Sequence, residues 1–424
     1  SGVEWIGQVP SKWEVKPIKI VATFNDDVLP DSTAADTPIS YVDISSVSYA
    51  AGIGSTEEML FGNAPSRARR KAKVGDVVIS TVRTYLKAVA AVDAAHADCV
   101  YSTGFAVLRS RTGHIEPNFL KWLALNELFI QSVESHSEGL SYPAINAPEL
   151  VNLKTVMPSL PEQATIAVTI DRETARFDAL IAKKTRFIEL LKEKRQALIT
   201  HAVTKGLNPK AKMKASGVEW IGEVPEHWVA IKFNHVARVT EGLVDPKAHP
   251  YREMVLIAPN HIESGTGKIL GLETAVFQNA ESGKYTCKKG AVIYSKIRPA
   301  LAKVAIAPCD CLCSADMYPM DCTDRTYPEW LFYLMLSPPF TSWAILESDR
   351  VAMPKINRES LADLRVFLPP MDEQLAAVAW LKAQVEKLEI VSLKTQHSID
   401  LLKERRAAFI TAAVTGQIDL RESA

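Results

Sequence analysis

The residues with the clearest chemistry are cations. Arg67, Arg69, Arg70, Lys71 and Lys73 place five positive charges in seven residues, just ahead of a glycine turn at Gly75. Such a cluster neutralises phosphates where it meets nucleic acid; otherwise it is a solvated loop. Lys284, Lys288 and Lys289 precede a second glycine turn, at Gly290, in the same way. Arg83 and Arg298 each follow a serine by three positions, between two β-rich runs. A guanidinium placed there can fork onto guanine O6 and N7 or onto a phosphate, the alternative being a structural salt bridge. Lys87, Lys296 and Lys303 flank these arginines. The loops 137–146 and 348–357 differ strongly while their flanks match, as two loops reading different bases would. They add Ser141, Tyr142, Arg350, Met353 and Lys355 as candidate contacts, against the reading of loops without a partner.

Groups suited to covalent or metal chemistry are sparse. Cys309, Cys311 and Cys313 alternate, so a strand would put three thiols on one face, but no histidine or fourth ligand lies nearby. Free strand cysteines are expected rather than zinc. Ser337-Pro-Pro-Phe340 approaches the D/N-P-P-Y/F motif of amino methyltransferases, with serine where a side chain must accept from the target amine. Gly265-Thr-Gly-Lys268 lacks the upstream glycine and the following Ser/Thr of a phosphate loop. No triad or carboxylate pair stands out, so a non-catalytic role is expected. Lys and Arg total 49 against 49 Asp and Glu. Zero net charge does not advertise nucleic-acid binding, but patches matter more than sums. A hydrophobic content of 47% supplies real cores, and the length suggests about two to four domains. No apolar run of about 18 residues suggests a membrane span, and no secretory leader is seen at Ser1. Six irregularly spaced cysteines suit a reducing cytoplasm.

The elements that must position these residues are written twice. SGVEWIGQVPSKW (Ser1 to Trp13) returns as SGVEWIGEVPEHW (Ser216 to Trp228), identical at 10 of 13 positions. The segments 188–204 and 399–415 agree at 12 of 17 positions with a shift of 211. Trp5, Trp13, Trp220 and Trp228 read as paired core anchors. Each copy closes on a run with apolar residues in steps of three and four. One run holds Ile170, Phe177, Ile181, Ile188, Leu191, Leu198 and Ala202; the other holds Val378, Leu381, Val385, Leu388, Ile399, Leu402, Phe409 and Ala413. This spacing makes one apolar stripe on a long helix, about 65 Å long at about 1.5 Å per residue. The helices are expected to begin just after Pro158 and Pro161, or Pro369 and Pro370, with Asp372 as a cap. Between them, Lys205–Ala215 reads as a basic linker. The middle of each copy reads as mixed α and β: strands at 77–80 and 292–295, return strands at 87–92 and 303–307, and proline-opened helices from Pro117 and Pro328. Tracing the chain gives two similar domains on an antiparallel helix pair, related by a pseudo-twofold axis. Such an object suits duplex DNA, with the domains one and a half to two turns apart at about 34 Å per turn. The repeated charged faces, Lys192 and Arg195 in one helix and Lys403 and Arg406 in the other, would offer two equivalent docking sites rather than a plain solvated surface.

Together the doubled SGVEWIG-x-VP-x-x-W, the K-x-G-D-V-x-x-S-x-x-R strand and loop, the Ile-Asn…Leu…Pro…Glu-Gln approach to a long helix, and the closing LLKE(K/R)R…IT-x-AVT resemble the specificity (S) subunits of type I restriction–modification systems. The likeness covers essentially the whole chain. It implies an α+β fold: target-recognition domains at 1–158 and 216–369, long helices at 159–206 and 370–417 forming an intramolecular coiled coil, a linker at 207–215 and a tail at 418–424. It implies a non-catalytic, cytoplasmic DNA-binding chain whose two domains each read half of a bipartite duplex site. The helices would dock two modification subunits that bind S-adenosylmethionine and methylate adenine N6. Restriction subunits using ATP and Mg would join for cleavage, and no cofactor is expected on this chain. One departure is that the second SGVEW follows Lys212-Met-Lys-Ala215 whereas the first opens at Ser1, so a few further residues are expected ahead of it. Two rival readings remain. A self-contained methyltransferase or nuclease would bind S-adenosylmethionine as an isolated chain. A coiled-coil adaptor binding proteins through its end domains would show no sequence-dependent affinity for DNA.

Overall fold

The runs Val77–Ser80 and Val292–Ser295 are inner strands of two four-stranded sheets. Every residue in them is buried because both faces are covered. Successive side chains of a strand point to opposite faces. Val77 and Ile79 therefore join a core with the helices, while Val78 joins Val42, Tyr101 and Phe105 on the other side. Val292 and Tyr294 likewise face helices, and Ile293 faces Ile257, Cys311 and Cys313. In this computed structural model the described residues are 2–3, 6–218, 221–348 and 354–420. They form two units: 1–185 with 397–424, and 186–396.

In the first unit the sheet order is Ala22–Phe24, Phe105–Ser110, Val77–Ser80, Val89–Ala91, all antiparallel. A second sheet runs Glu57–Leu60, Pro38–Val42, Val100–Ser102, Ala68–Lys71, with a parallel central pair. The other unit repeats the first sheet as Ala237–Val239, Met317–Cys322, Val292–Ser295, Val304–Ile306. Its second sheet has three strands, Leu256–Ile257, Cys311–Ser314 and Lys284–Cys287, again with one parallel pair. Where the first unit adds Glu57–Leu60, the other has, among the described residues, the single bridge of Val255 with Thr274. The chain is thus α+β, with two domains of one strand order.

The long helices run Leu160–Lys205 and Met371–Val414. In the first unit Ile166, Ala167 and Ile170, early in one helix, share a core with Ile410, Ala413 and Val414, late in the other. In the second unit Ile199, Ala202 and Val203 share a core with Ala377, Val378, Leu381 and Val385. Both pairings are antiparallel. Every residue of the two expected apolar stripes is buried or half-buried. Packing thus gives each unit the start of one helix and the end of the other, which a linear division of the chain does not anticipate.

The second helix starts at Met371, directly after Pro370 as expected, whereas the first starts at Leu160, ahead of Pro161. Pro161 lies inside the first turn, which tolerates it, and the Ser159 hydroxyl and amide donate to Glu162. Asp372 is also inside its helix and is not the cap. The repeated Glu-Gln pair fixes each start to its domain. Gln163 is buried; its oxygen accepts from the Glu116 amide, and its nitrogen donates to the Pro158 and His114 carbonyls. Gln374 accepts from the Tyr327 amide at 2.7 Å and donates to the carbonyls of Arg325 at 2.8 Å and Pro369 at 2.9 Å. The basic linker is not loose: Met213–Ala215 pairs with Glu223–Pro225, and Lys214 donates to the carbonyls of Glu226 and Trp228. Trp228 is buried and donates to Glu373 at 3.0 Å. Trp13 is half-buried against a cavity of about 460 Å³. Trp5 and Trp220 lie outside the described residues.

Candidate nucleic-acid interface

The serine-to-arginine spacing has a local cause. The Ser80 hydroxyl donates to the Val82 carbonyl at 2.6 Å, and Ser295 to the Ile297 carbonyl at 3.0 Å. The strand ends fold back, and the arginines land in left-handed backbone, Arg83 at φ 50° and Arg298 at φ 47°. One turn of 3-10 helix follows, Thr84–Leu86 or Pro299–Leu301. A second left-handed residue closes it, Lys87 at φ 51° or Ala302 at φ 44°. Left-handed backbone outside glycine costs about 1–2 kcal/mol per residue, and strain of this kind clusters at functional sites. Both domains hold two such residues in one turn.

The turn is stitched to the divergent loop in each domain. In the first, Val82 bridges Ala144, the Ile145 amide donates to the Thr81 carbonyl, and the Thr84 hydroxyl donates to Ser137. Tyr142 lies under the Arg83 guanidinium, 4.9 Å from ring centroid to Cζ. Ser141, Tyr142 and Arg83 are exposed. In the second, Ile297 bridges Lys355, the Arg298 amide donates to the Pro354 carbonyl, and the Ile356 amide donates to Lys296. Arg298 and Lys355 are exposed, and Lys296 lies over the Tyr318 ring. Arg350 and Met353 lie outside the described residues.

The basic cluster is less available than its composition suggests. Arg67 donates to the Tyr41 hydroxyl and pairs with Asp43 at 2.8 Å, contacts that raise its pKa. Arg69 stacks on Phe61 and faces Asp31, and Lys73 faces Asp27 at 3.5 Å. Arg70 is half-buried, and burial lowers its pKa. Lys71 is exposed without a charged partner among the described residues. Lys284 corrects the expectation of a phosphate contact: it is 7% exposed, its ammonium donates to Ser282, and burial depresses its pKa. Lys87 is held by Glu127 and Lys303 by the Pro259 carbonyl. Lys288 and Lys289 remain exposed.

Of the docking candidates, Lys192 and Lys403 are exposed. Lys192 borders an open groove of about 690 Å³ with Gln196, Ala197, Thr200 and Pro338. Arg195 points the other way. It is 8% exposed, and its guanidinium donates to the carbonyls of Gly265 at 2.7 Å and Thr266 at 3.0 Å. It therefore ties the Gly-Thr-Gly turn to the helix and offers nothing to a partner. Arg406 pairs with Asp178 at 2.9 Å. Ser337-Pro-Pro-Phe340 is a helix junction, with the buried serine donating to the Leu334 carbonyl. Cys309, Cys311 and Cys313 are free thiols, and no metal-holding group occurs among the described residues. Cys311 faces Cys287 across the sheet.

Two groups escaped sequence reasoning. Arg109 forks onto buried Asp76 and also reaches Asp27 at 2.7 Å, which locks the base of the first domain's sheet. Arg358 lies over Tyr285 and Tyr318 and donates to the Thr240 carbonyl, so it fixes the far end of the second divergent loop. Neither has a counterpart in the other copy, so the repeat could not flag them.

Comparison with known proteins places this geometry. A family model described as the type I restriction modification DNA specificity domain matches residues 225–401. The chain is 30% identical over 328 residues to the type I restriction enzyme EcoDI specificity subunit of Escherichia coli, covering 73% of this chain and 72% of that one. It is 25% identical over 316 residues to the MjaVIII specificity subunit of Methanocaldococcus jannaschii, covering 70% and 69%. Among solved structures, one described under complex assembly and conformational transition of the type I R-M system superposes with a TM-score of 0.74 at 20% identity, covering 97% of this chain and all of that one. The HsdS subunit from Thermoanaerobacter tengcongensis gives 0.55 at 22% identity, covering 97% and 98%.

Proposed function

The chain belongs to the type I restriction–modification specificity subunits, and on that premise we propose that its two domains each read one half of a bipartite duplex DNA site. The supporting observation is the left-handed arginine turn, present in both domains and stitched in each to a loop of unrelated sequence. A shared frame with divergent loops is what two readers of different half-sites require. Arg83, Ser141 and Tyr142 face one half-site; Arg298 and Lys355 face the other. Lys71, Lys288 and Lys289 supply phosphate contacts, which position the protein without reading sequence. The chain itself performs no chemistry. The exposed helix faces around Lys192 and Lys403 dock two modification subunits, which carry S-adenosylmethionine and methylate adenine N6. Restriction subunits with ATP and Mg join the same assembly in the cytoplasm. No helix among the described residues is long and apolar enough to cross a membrane.

Mapping N6-methyladenine across a host genome with and without this gene tests the proposal. A split motif with a fixed gap disappears on deletion. An unchanged methylation map, or loss of an uninterrupted motif, refutes it.

A further inference from the structure

We propose that Arg83 reads a guanine in the half-site of the first domain, forking onto its O6 and N7 with the Tyr142 ring beneath its guanidinium. This rests on the reading of that domain as a DNA reader and names the base that one side chain recognises.

The guanidinium of Arg83 is exposed and makes no ion pair or hydrogen bond among the described residues, so all five of its donors are open. Its orientation is nonetheless restricted. The Tyr142 ring lies beneath it at 4.9 Å, and its backbone is fixed in the left-handed turn. The loop carrying Tyr142 is bonded to that same turn through Thr81, Val82 and Thr84. A phosphate needs a cation within reach and little more. A base edge needs a planar fork presented at a set angle, which is what stacking on a ring supplies.

The surroundings point the same way. Around Arg83 the exposed large apolar side chains are Tyr85, Leu86, Leu140 and Tyr142, and Glu138 and Ser141 are exposed in the same loop. The neighbouring cation, Lys87, is neutralised by Glu127. A strip that grips phosphates is rich in free lysine and arginine; this apex has one open fork among mainly apolar exposed side chains, with the Glu138 carboxylate in the same loop. Apolar side chains around one guanidinium match the floor of a major groove, where thymine methyls lie beside guanine O6 and N7. Lys71, exposed without a charged partner among the described residues, lies elsewhere, on an edge strand.

The test uses the full chain assembled with its modification subunits and a duplex carrying the mapped split site. Each guanine of the first half-site is replaced in turn by 7-deazaguanine, which removes N7 alone. Wild-type binding should fall several-fold at one position and hold at the others. Arg83→Lys keeps the charge but lacks the fork. It should bind the intact site about 10- to 100-fold more weakly, become indifferent to 7-deazaguanine there, and leave discrimination in the second half-site and the melting temperature unchanged. Equal weakening of Arg83→Ala on all sequences, with Arg83→Lys near wild type, would make the contact a phosphate contact and overturn the inference. So would a first half-site with no guanine on either strand. A wild-type complex without any sequence preference removes the parent reading and this one together. One that reads a split site without depending on Arg83 removes this one alone.

Discussion

Replacing Gln374 by leucine tests how the second domain is fastened to its helix. The side chain is fully buried and makes three hydrogen bonds, to the Tyr327 amide, the Arg325 carbonyl and the Pro369 carbonyl. Leucine fills much of the volume and satisfies none of them. An orphaned buried donor costs about 1–3 kcal/mol, and the carbonyls lose less because each keeps a second lone pair. The total is about 3 kcal/mol. For a unit of this size each kcal/mol moves the midpoint by about 2–4 °C, so calorimetry should show a drop of about 6–12 °C. Gln374→Glu sharpens the test. It keeps an acceptor for Tyr327 but aims a carboxylate at two carbonyls, and burial raises that carboxyl's pKa. The folded state then binds a proton more readily than the unfolded state, so stability relative to wild type rises as pH falls. A Gln374→Leu protein melting within about 1 °C of wild type, or a glutamate variant whose deficit grows on acidification, would refute the reasoning.

Four further outcomes follow from particular contacts. A Cβ on Gly416 would meet the Pro10 ring at 2.6 Å and Trp13 at 3.0 Å, whereas on Gly206 its nearest neighbour is Trp228 at 3.3 Å. Both glycines have positive φ, so each alanine variant loses about 1–2 kcal/mol in backbone strain; urea titration should show Gly416→Ala losing more than Gly206→Ala. The Arg109 bond holds the Asp27 pKa below the usual carboxylate range. Its stabilisation is present above the unfolded carboxylate pKa and is lost as pH falls through the lower folded value, so Asp27→Asn should flatten the acid limb of the first unit's stability profile. Arg195→Met removes the donor to the Thr266 carbonyl and leaves the Gly265 carbonyl to Gln196 alone, so it should speed hydrogen exchange in the 263–268 turn without weakening partner assembly. Lys192→Glu should weaken co-purification of the modification subunit at unchanged melting temperature; the reverse pattern would exchange the roles assigned to these neighbours.

What the sequence disclosed was whatever the repeat wrote twice for a backbone reason. Ser80 and Ser295 recur because each hydroxyl bends a strand end, and Gln163 and Gln374 because each satisfies three backbone groups at a helix start. The apolar stripes were legible because helical periodicity depends on residue type alone. Charge was legible only as composition. Lys284 reads as a free cation until its strand buries it against Ser282, and Arg195 reads as a surface residue until a turn 70 residues away takes its guanidinium. Which carboxylate or carbonyl answers a given cation depends on long-range packing, and neither spacing nor periodicity encodes that. The same limit explains why Arg83 stands out once the fold is known. Four cations near the two recognition turns and in the basic strand, Arg67, Lys73, Lys87 and Lys303, are spoken for by Asp43, Asp27, Glu127 and Pro259. Arg83 is held by an aromatic ring that leaves every donor open, so it remains in the first domain's turn as the cation oriented for a ligand from outside the chain.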